Sequence, residues 1–415
     1  MSESDFFSNN LTEEERELYD RQFRLQGWNQ SILKNSRVLM VGVGGLGCEI
    51  AKNLTMVGVG HIDLVDLDVI EHSNLNRQML FIGAKVARPK ALAAVDMLKK
   101  INPNITIKGY RSSLEQLPPV LYKKADVIIS GLDSMQARLN LNTQVIRFNK
   151  PLVDGGVNGY HGHIYTIFPK INACFECYSV SSSESDDMAA CTVVGIPRKR
   201  IHCLFKAMMK FEEINSNPPN VKNIKELKFL KDNANELVEK FGFEPLFEEK
   251  EIIQIIDHHD PGIITINAVI ASIQSHEVIK ILNYIKGNKG LGIPNKSYII
   301  YNGMTARFYH LDKPRNDKCP QCGDDVLWED FYLRKDQPLQ LIIDGLKMKG
   351  HNLDSEMEPI ITIPDFNSIR ELDLQRTVLE NRLFPLSLLT ISGFTEGDIY
   401  VTLHIFKDKT LKHSS

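Results

Sequence analysis

The sequence predicts an α/β fold with a Rossmann-like sheet domain, a helical insertion and a small C-terminal α+β domain. Three observations predict it. An apolar strand at 38–43 runs into a glycine-rich turn and then a helix, CEIAKNLTMVG. Strands and helices alternate from there, as in a parallel sheet covered by helices. A serine-rich stretch, VSSSESDDMAAC, and a highly charged one interrupt this alternation before it resumes.

The elements follow one another along the chain. Residues 12–35 are rich in Glu, Leu, Arg and Gln, which favours helix. HIDLVDLD is the strand that closes the first βαβ unit, and KALAAVDMLKKINP is a helix that Asn102 and Pro103 end. ITIKGYRSS and ADVIISGLD are further strands, and PLVDGGVNGYHGHIYTIFP predicts strands joined by glycine turns. The apolar helix GIITINAVIASIQSHEVIKILNYI brings the chain back to the sheet.

The domain boundaries follow from these changes of character. Residues 1–178 and 262–332 form the sheet domain, 179–261 the helical insertion and 333–415 the C-terminal domain. The last domain has the helices LQLIIDGLK and RTVLENRL and the strands PIITIP, LSLLTIS and DIYVTLHIF. This mixture fits a small α+β domain of the ubiquitin-like (β-grasp) type.

The composition is that of a soluble globular protein. The 415 residues are 43% hydrophobic and 24% charged, with a formal net charge of −3. A balance so near neutrality gives no reason to expect nucleic acid or an anionic membrane surface as a partner. The first residues resemble neither a secretory signal nor a transit peptide, and no apolar run is long enough for a membrane span. We therefore expect a cytoplasmic, reduced protein.

The turn after the first strand predicts a nucleotide site. Gly42, Gly44, Gly45 and Gly47 let the backbone approach a phosphate or ribose at the helix N-terminus. Asp66 follows about 20 residues later, where a carboxylate would bind a ribose hydroxyl. Glycines alone could serve only tight helix–sheet packing, but the order strand, turn, helix, strand and Asp66 favours nucleotide binding.

Polar residues beyond this unit indicate which nucleotide is bound. Two cations and an isolated carboxylate on one sheet edge suit ATP with magnesium better than a nicotinamide. Arg77 and Lys90 would neutralise phosphate charge, and Asp133, directly after a strand, would hold the metal. Taken singly, each could be a solvated surface charge. The further candidates for this site are Asp68, Asn74, Arg77, Gln78, Lys90 and Asp133.

These segments carry a resemblance to a known family. GVGGLGCEIAKNL, DLDVIEHSNLNRQMLF, ARPKA and GLDSMQAR resemble the adenylation domain of ubiquitin-activating enzymes and of the bacterial adenylators of sulfur carriers, the ThiF and MoeB type. The resemblance covers residues 15–180 and 262–325. It implies that the C-terminal glycine carboxylate of a small β-grasp protein ending in Gly-Gly attacks the α-phosphate of ATP, which gives an acyl-adenylate and pyrophosphate.

Four of the seven cysteines form two C-x-x-C pairs, CFEC and CPQC. Four thiolates in two such pairs are typical of a structural, redox-inert zinc site. A redox pair is the alternative, without a thioredoxin-like context to favour it. The resembled family carries zinc at this place. The predicted ligands are Cys174, Cys177, Cys319 and Cys322.

Three cysteines remain, of which Cys48 is interpreted as packing and Cys203 as part of a helix. Cys191 follows the serine-rich loop, with Arg198, Lys199 and Arg200 behind it to lower the pKa of its thiol. CTVVGIPRKRIHC resembles the catalytic-cysteine segment of the two-chain activators of ubiquitin-like modifiers. The resemblance implies that Cys191 accepts the modifier as a thioester, which a conjugating enzyme bound to the C-terminal domain then takes over.

The segment YDRQFRLQGW precedes the first strand. In homodimeric relatives, an arginine at the place of Arg21 reaches the ATP phosphates of the neighbouring chain. The resemblance therefore implies a homodimer in which Arg21 acts in trans, with a separate second subunit as the alternative. Two other functions stay open: a sulfur-carrier adenylyltransferase, in which Cys191 is incidental, and an inactive nucleotide-binding scaffold.

Overall fold

A computed structural model describes residues 11–177, 200–215, 219–256, 262–355, 357–365 and 368–406. The chain divides into two units: Met1–Cys177 with Gly262–Ser415, here called the large unit, and Tyr178–Pro261, here called the insertion unit. Among the described residues, no helix combines the length and the apolar character that a membrane crossing requires.

An eight-stranded sheet forms the centre of the large unit. Its strand order is β3-β2-β1-β4-β5-β6-β7-β8. The first five strands in that order run parallel, and the remaining pairs are antiparallel. The Rossmann-like α/β prediction is thereby confirmed. The strands are β1 (Arg37–Val41), β2 (His61–Val65), β3 (Thr106–Tyr110), β4 (Val127–Ser130), β5 (Leu152–Asn158), β6 (His161–Ile167), β7 (Tyr298–Asn302) and β8 (Arg307–Leu311).

Helices cover both faces of this sheet because its central strands are apolar on both sides. One face packs against α4, α5 and α11, and the other against α6 and α7. The region 12–35 forms three short helices. Gly27 lies between the second and the third; it has a positive φ of 80°, and a Cβ there would lie 2.6 Å from the backbone of Gly290. The helices are α1 (Glu13–Leu18), α2 (Asp20–Phe23), α3 (Gln30–Lys34), α4 (Gly45–Met56), α5 (Lys90–Ile101), α6 (Pro119–Lys124), α7 (Met135–Arg147) and α11 (Ile264–Ile285).

The described part of the insertion unit is helical: α8 (Arg200–Asn215), α9 (Ile224–Phe241) and α10 (Glu249–Ile256). Asn223 caps the start of α9, and Gly242 ends it in the left-handed conformation. The three helices share a core of their own that includes Cys203, Leu230 and Val238.

A second sheet lies near the C-terminus, with the order β11-β10-β12-β13-β9. Its strand β9 is parallel to β13, whereas the other pairs are antiparallel. One apolar face of α12 packs into the core of this sheet. The elements are β9 (Leu327–Arg334), α12 (Gln340–Met348), β10 (Ile360–Asp365), β11 (Ser368–Leu372), β12 (Ser387–Ser392) and β13 (Ile399–Phe406).

The prediction that RTVLENRL forms a second helix in this region is wrong. Residues 378–382 form a turn, and Thr377 pairs with Pro338 in an isolated β-bridge. The Asn381 amide donates to the carbonyls of Asp373, Arg376 and Thr377, and Arg382 has a positive φ of 56°. Side-chain hydrogen bonds of this kind give the backbone an alternative to the helix.

Candidate functional site

Three parallel strands end together at one edge of the large sheet. Val41 of β1 is in register with Val65 of β2 and with Ser130 of β4. The loops that follow begin in contact, because the Gly42 N–H donates to the Val65 carbonyl at 2.9 Å and the Gly131 N–H to the Val41 carbonyl at 3.0 Å. The carboxyl edge of such a sheet is where ligands bind in open α/β folds.

The glycine turn leaves little room for side chains. Gly42 has a φ of 90°, and a Cβ there would lie 2.8 Å from the Gly131 carbonyl oxygen. A Cβ on Gly47 would lie 2.2 Å from the Gly42 carbonyl oxygen. A Cβ on Gly44 would meet open space. Helix α4 begins at Gly45, so its first backbone N–H groups lie at this edge without helical partners.

Asp66 is fixed beside the turn. One carboxylate oxygen accepts from the Val43 N–H at 2.6 Å and the other from the Asp68 N–H at 2.8 Å. Burial raises the pKa of Asp66, against the opposing effect of the Lys90 ammonium. The carboxylate is thus held in one orientation, as a ribose acceptor must be.

The two predicted cations reach the same edge. Lys90 is only 8% exposed, and its Nζ lies 2.8 Å from Oδ2 of Asp68. Arg77 is partly exposed, donates to the Ser73 carbonyl at 2.7 Å, and has its Cγ 3.5 Å from the place of a Cβ on Gly45. The charge of the Lys90 ammonium is therefore neutralised by Asp68 until a phosphate takes the place of the Asp68 carboxylate.

Asn74 and Gln78, two further candidates for the nucleotide site, lie close to Arg77 in the sequence and are buried. Asn74 accepts a hydrogen bond from the Glu71 N–H at 3.0 Å, so its oxygen shapes the loop. Oε1 of Gln78 is buried without a hydrogen-bond partner among the described residues.

Asp133 is exposed in the loop between β4 and α7, directly before Ser134, which caps α7. Arg138 holds this loop in place. Arg138 donates from Nη2 to the Leu132 carbonyl at 2.5 Å, and its Nε lies 3.2 Å from Oδ2 of Asp154, whose side chain is fully buried. Arg138 and Asp154 are site residues that sequence reasoning missed. Arg138 stands within GLDSMQAR, but only the fold brings β5 and its carboxylate under this loop.

Of the two predicted catalytic residues, the structure describes Arg21 but not Cys191. Arg21 is exposed on α2. Cys191 belongs to the stretch 178–199, which lies outside the described residues. Arg200, which follows that stretch, is already paired, because both ends of its guanidinium bind the Glu251 carboxylate at 2.6 and 2.7 Å. Cys203 is buried in α8, and burial raises the pKa of its thiol.

The four predicted zinc ligands lie together in the core on the α7 side of the large sheet. Their Sγ atoms are all within 4.8 Å of one another, with 3.7 Å between Cys174 and Cys319 and 3.4 Å between Cys177 and Cys322. Four sulfurs placed tetrahedrally about 2.3 Å from zinc are separated by about 3.8 Å. The cluster therefore fits a closed zinc site that joins two distant segments.

Comparisons with known proteins show the family of this chain. Residues 19–321 match the model of the ThiF family. The NEDD8-activating enzyme E1 catalytic subunit of Saccharomyces cerevisiae is 33% identical over 258 residues, which are 60% of this chain and 85% of that protein. The protein of the same description from Arabidopsis thaliana is 27% identical over 414 residues, 94% of this chain and 86% of that one. A crystal structure of MccB from E. coli covers 72% of this chain and 68% of its own, with 21% identity and a TM-score of 0.47.

Proposed function

Because the chain belongs to the ThiF family, with activating enzymes of ubiquitin-like proteins among its relatives, we propose that it activates a ubiquitin-like protein. In the proposed reaction, the C-terminal glycine carboxylate of that protein attacks the α-phosphate of ATP and pyrophosphate leaves. The thiolate of Cys191 then attacks the acyl carbon, a thioester forms and AMP leaves. A conjugating enzyme finally takes over the modifier.

The observation that carries the proposal is the shared strand edge. Val41, Val65 and Ser130 end in register, and the loops that follow them carry the glycine turn, Asp66 and Asp133. Phosphoryl chemistry of this kind needs position and charge neutralisation more than covalent help from the protein. The helix N-terminus, Arg77 and Lys90 provide positive potential on one side, and Asp66 suits the ribose.

Asp133 is the proposed magnesium ligand. Its carboxylate is exposed in the loop after β4, and Arg138 binds the carbonyl of the neighbouring residue Leu132. The loop therefore presents an oxygen donor of the kind that Mg²⁺ prefers in a fixed position. When bound, the ion would offset phosphate charge. Asp68 would release Lys90 to the nucleotide, because its own side chain is largely exposed to solvent.

The chemistry of the other cysteines supports Cys191 as the nucleophile. Cys48 is fully buried, and burial raises the pKa of its thiol to about 12. Cys203 is also buried with a raised pKa. The remaining four form the proposed zinc site. A buried, protonated thiol is neither reachable nor nucleophilic at neutral pH.

The proposal also covers the C-terminal sheet and the subunit arrangement. We assign the sheet with α12 to a ubiquitin-fold domain that recruits the conjugating enzyme. The relatives are described as a catalytic subunit. Two subunit arrangements are therefore proposed as alternatives: a homodimer in which Arg21 acts in trans, and a complex with a separate second subunit.

The test is ATP–pyrophosphate exchange. The protein is incubated with ATP, magnesium, labelled pyrophosphate and a panel of β-grasp proteins ending in Gly-Gly. We expect exchange that depends on one of them and is lost in Asp133→Ala. ATP binding without exchange for any member of the panel would favour an inactive scaffold or a requirement for a separate second subunit. Exchange with a sulfur carrier alone would indicate a sulfur-carrier adenylyltransferase.

A further inference from the structure

Asn267 lies in the first turn of α11 and is only 4% exposed. Its side chain faces the glycine turn. A Cβ built on Gly45 would lie 2.5 Å from Nδ2 of Asn267 and 3.5 Å from its Cγ. The amide therefore occupies the space beside the first residue of α4, a position that only glycine permits. More than two hundred residues separate Gly45 from Asn267 in the sequence.

Within the described part of the chain, the side-chain amide of Asn267 makes no hydrogen bond. Its backbone N–H donates to the Ile263 carbonyl at 3.1 Å, and none of the hydrogen bonds between described residues involves its side chain. Asn283 on the same helix differs. Its Nδ2 donates to the Ile279 carbonyl at 2.9 Å, and its Oδ1 accepts from Asn288 at 2.7 Å. An amide has two donor hydrogens, and with no partner among the described residues both are available to a ligand at this position.

The surroundings of this amide select an anionic ligand. The first N–H groups of α4 lack helical partners, and the helix dipole adds positive potential there. The Arg77 Cγ lies 3.5 Å from the same point on Gly45, so the stem of a cation also borders this position. A donor amide, free backbone donors and an arginine suit phosphate oxygens.

We propose that Asn267 is a nucleotide-binding residue, whose Nδ2 donates to a phosphate oxygen of a nucleoside triphosphate lying over Gly45. The assignment rests on the nucleotide half of the proposed function and deepens it. Asn267 would be a ligand-binding donor on α11, the helix that follows the insertion unit in the sequence. The assignment also explains why glycine stands at 45: a side chain there would displace the donor.

The experiment measures the dissociation constant of ATP with magnesium by titration calorimetry on the full chain. Asn267→Ala should weaken binding about tenfold, the usual effect of losing a hydrogen bond to a charged group. Asn267→Asp, which keeps the shape, should weaken it more, because a carboxylate repels phosphate. The matched control is Asn283→Ala, which should lower the melting temperature and leave ATP affinity unchanged.

Melting curves without nucleotide establish that the variants fold, and the isosteric Asn267→Asp carries the test if the alanine variant does not. Unchanged ATP affinity in that variant would overturn the assignment. So would an effect on the KM for the protein substrate alone, because the ligand would then be the modifier's carboxylate. If wild-type protein binds ATP through Asn267 but shows no exchange with any modifier, the proposed function fails and this inference stands.

Discussion

Arg138 and Asp154 form an ion pair beneath the loop that presents Asp133. The Nε of Arg138 lies 3.2 Å from Oδ2 of Asp154, and the same guanidinium donates to the Leu132 carbonyl at 2.5 Å. Ser130 donates to the other Asp154 oxygen at 2.5 Å. A buried carboxylate on β5 is thus connected, through one arginine, to the residue before the proposed magnesium ligand.

This connection makes Arg138 a positioning residue for magnesium. Arg138→Lys keeps the charge opposite Asp154 but loses the fork that binds two acceptors at once. We expect the magnesium concentration that gives half-maximal ATP–pyrophosphate exchange to rise about tenfold, as for the loss of one charge-assisted hydrogen bond. The control is Arg147→Lys at the other end of α7, where the arginine binds the Leu386 carbonyl and the Thr402 hydroxyl of the C-terminal sheet. A magnesium requirement changed equally in both variants, or in neither, would refute the role.

The buried cysteines should resist alkylation. Burial raises the pKa of Cys48 to about 12 and also raises that of Cys203, and a thiol is deprotonated only as the pH rises through its pKa. At pH 8 both therefore stay protonated in the folded protein, and iodoacetamide should react with neither. Mass spectrometry of peptides is expected to find the label on Cys191. Rapid labelling of Cys203 in folded protein would instead make it a competing nucleophile.

The thiolate cluster should hold one zinc ion per chain. Cys319→Ser removes a ligand whose sulfur is 3.7 Å from that of Cys174, so the metal that ties the two segments should be lost. We expect zinc content by atomic absorption to fall and the melting temperature to drop by on the order of 10 °C. Cys203→Ser, in the separate core of the insertion unit, should keep its zinc. Wild-type protein purified without zinc, and no less stable after chelation, would argue against the site.

Mixing two inactive chains tests the role of Arg21. If Arg21 acts across a homodimer, Arg21→Ala and Asp133→Ala chains together should recover about a quarter of wild-type exchange, since half of randomly paired dimers are mixed and hold one intact site each. The control is Arg24→Ala, which should stay active because Arg24 is already paired with Asp20 at 2.7 Å. No recovery on mixing would indicate action within one chain or a second subunit.

Local patterns predicted what depends on neighbouring residues. The strand, glycine turn and helix around Gly42 could be predicted because each rests on a short sequence run, as could the second strand that leads to Asp66. The two C-x-x-C pairs, which are local signals, indicated the cysteine cluster. Asn267 and Asp154 could not be assigned, because each is an unremarkable residue until the fold brings α11 and β5 to the sheet edge. The RTVLENRL helix failed because Asn381 binds backbone carbonyls that a propensity argument does not consider.

In the proposed function, the chain activates a ubiquitin-like protein and holds it on Cys191. The most direct measurement is a non-reducing gel after incubation with ATP, magnesium and the modifier that supports exchange. We predict an adduct of the two proteins that thiols reverse, that needs ATP, and that is absent in Cys191→Ala but present in Cys203→Ala. An adduct that persists in Cys191→Ala, or exchange activity without any adduct, would contradict the account.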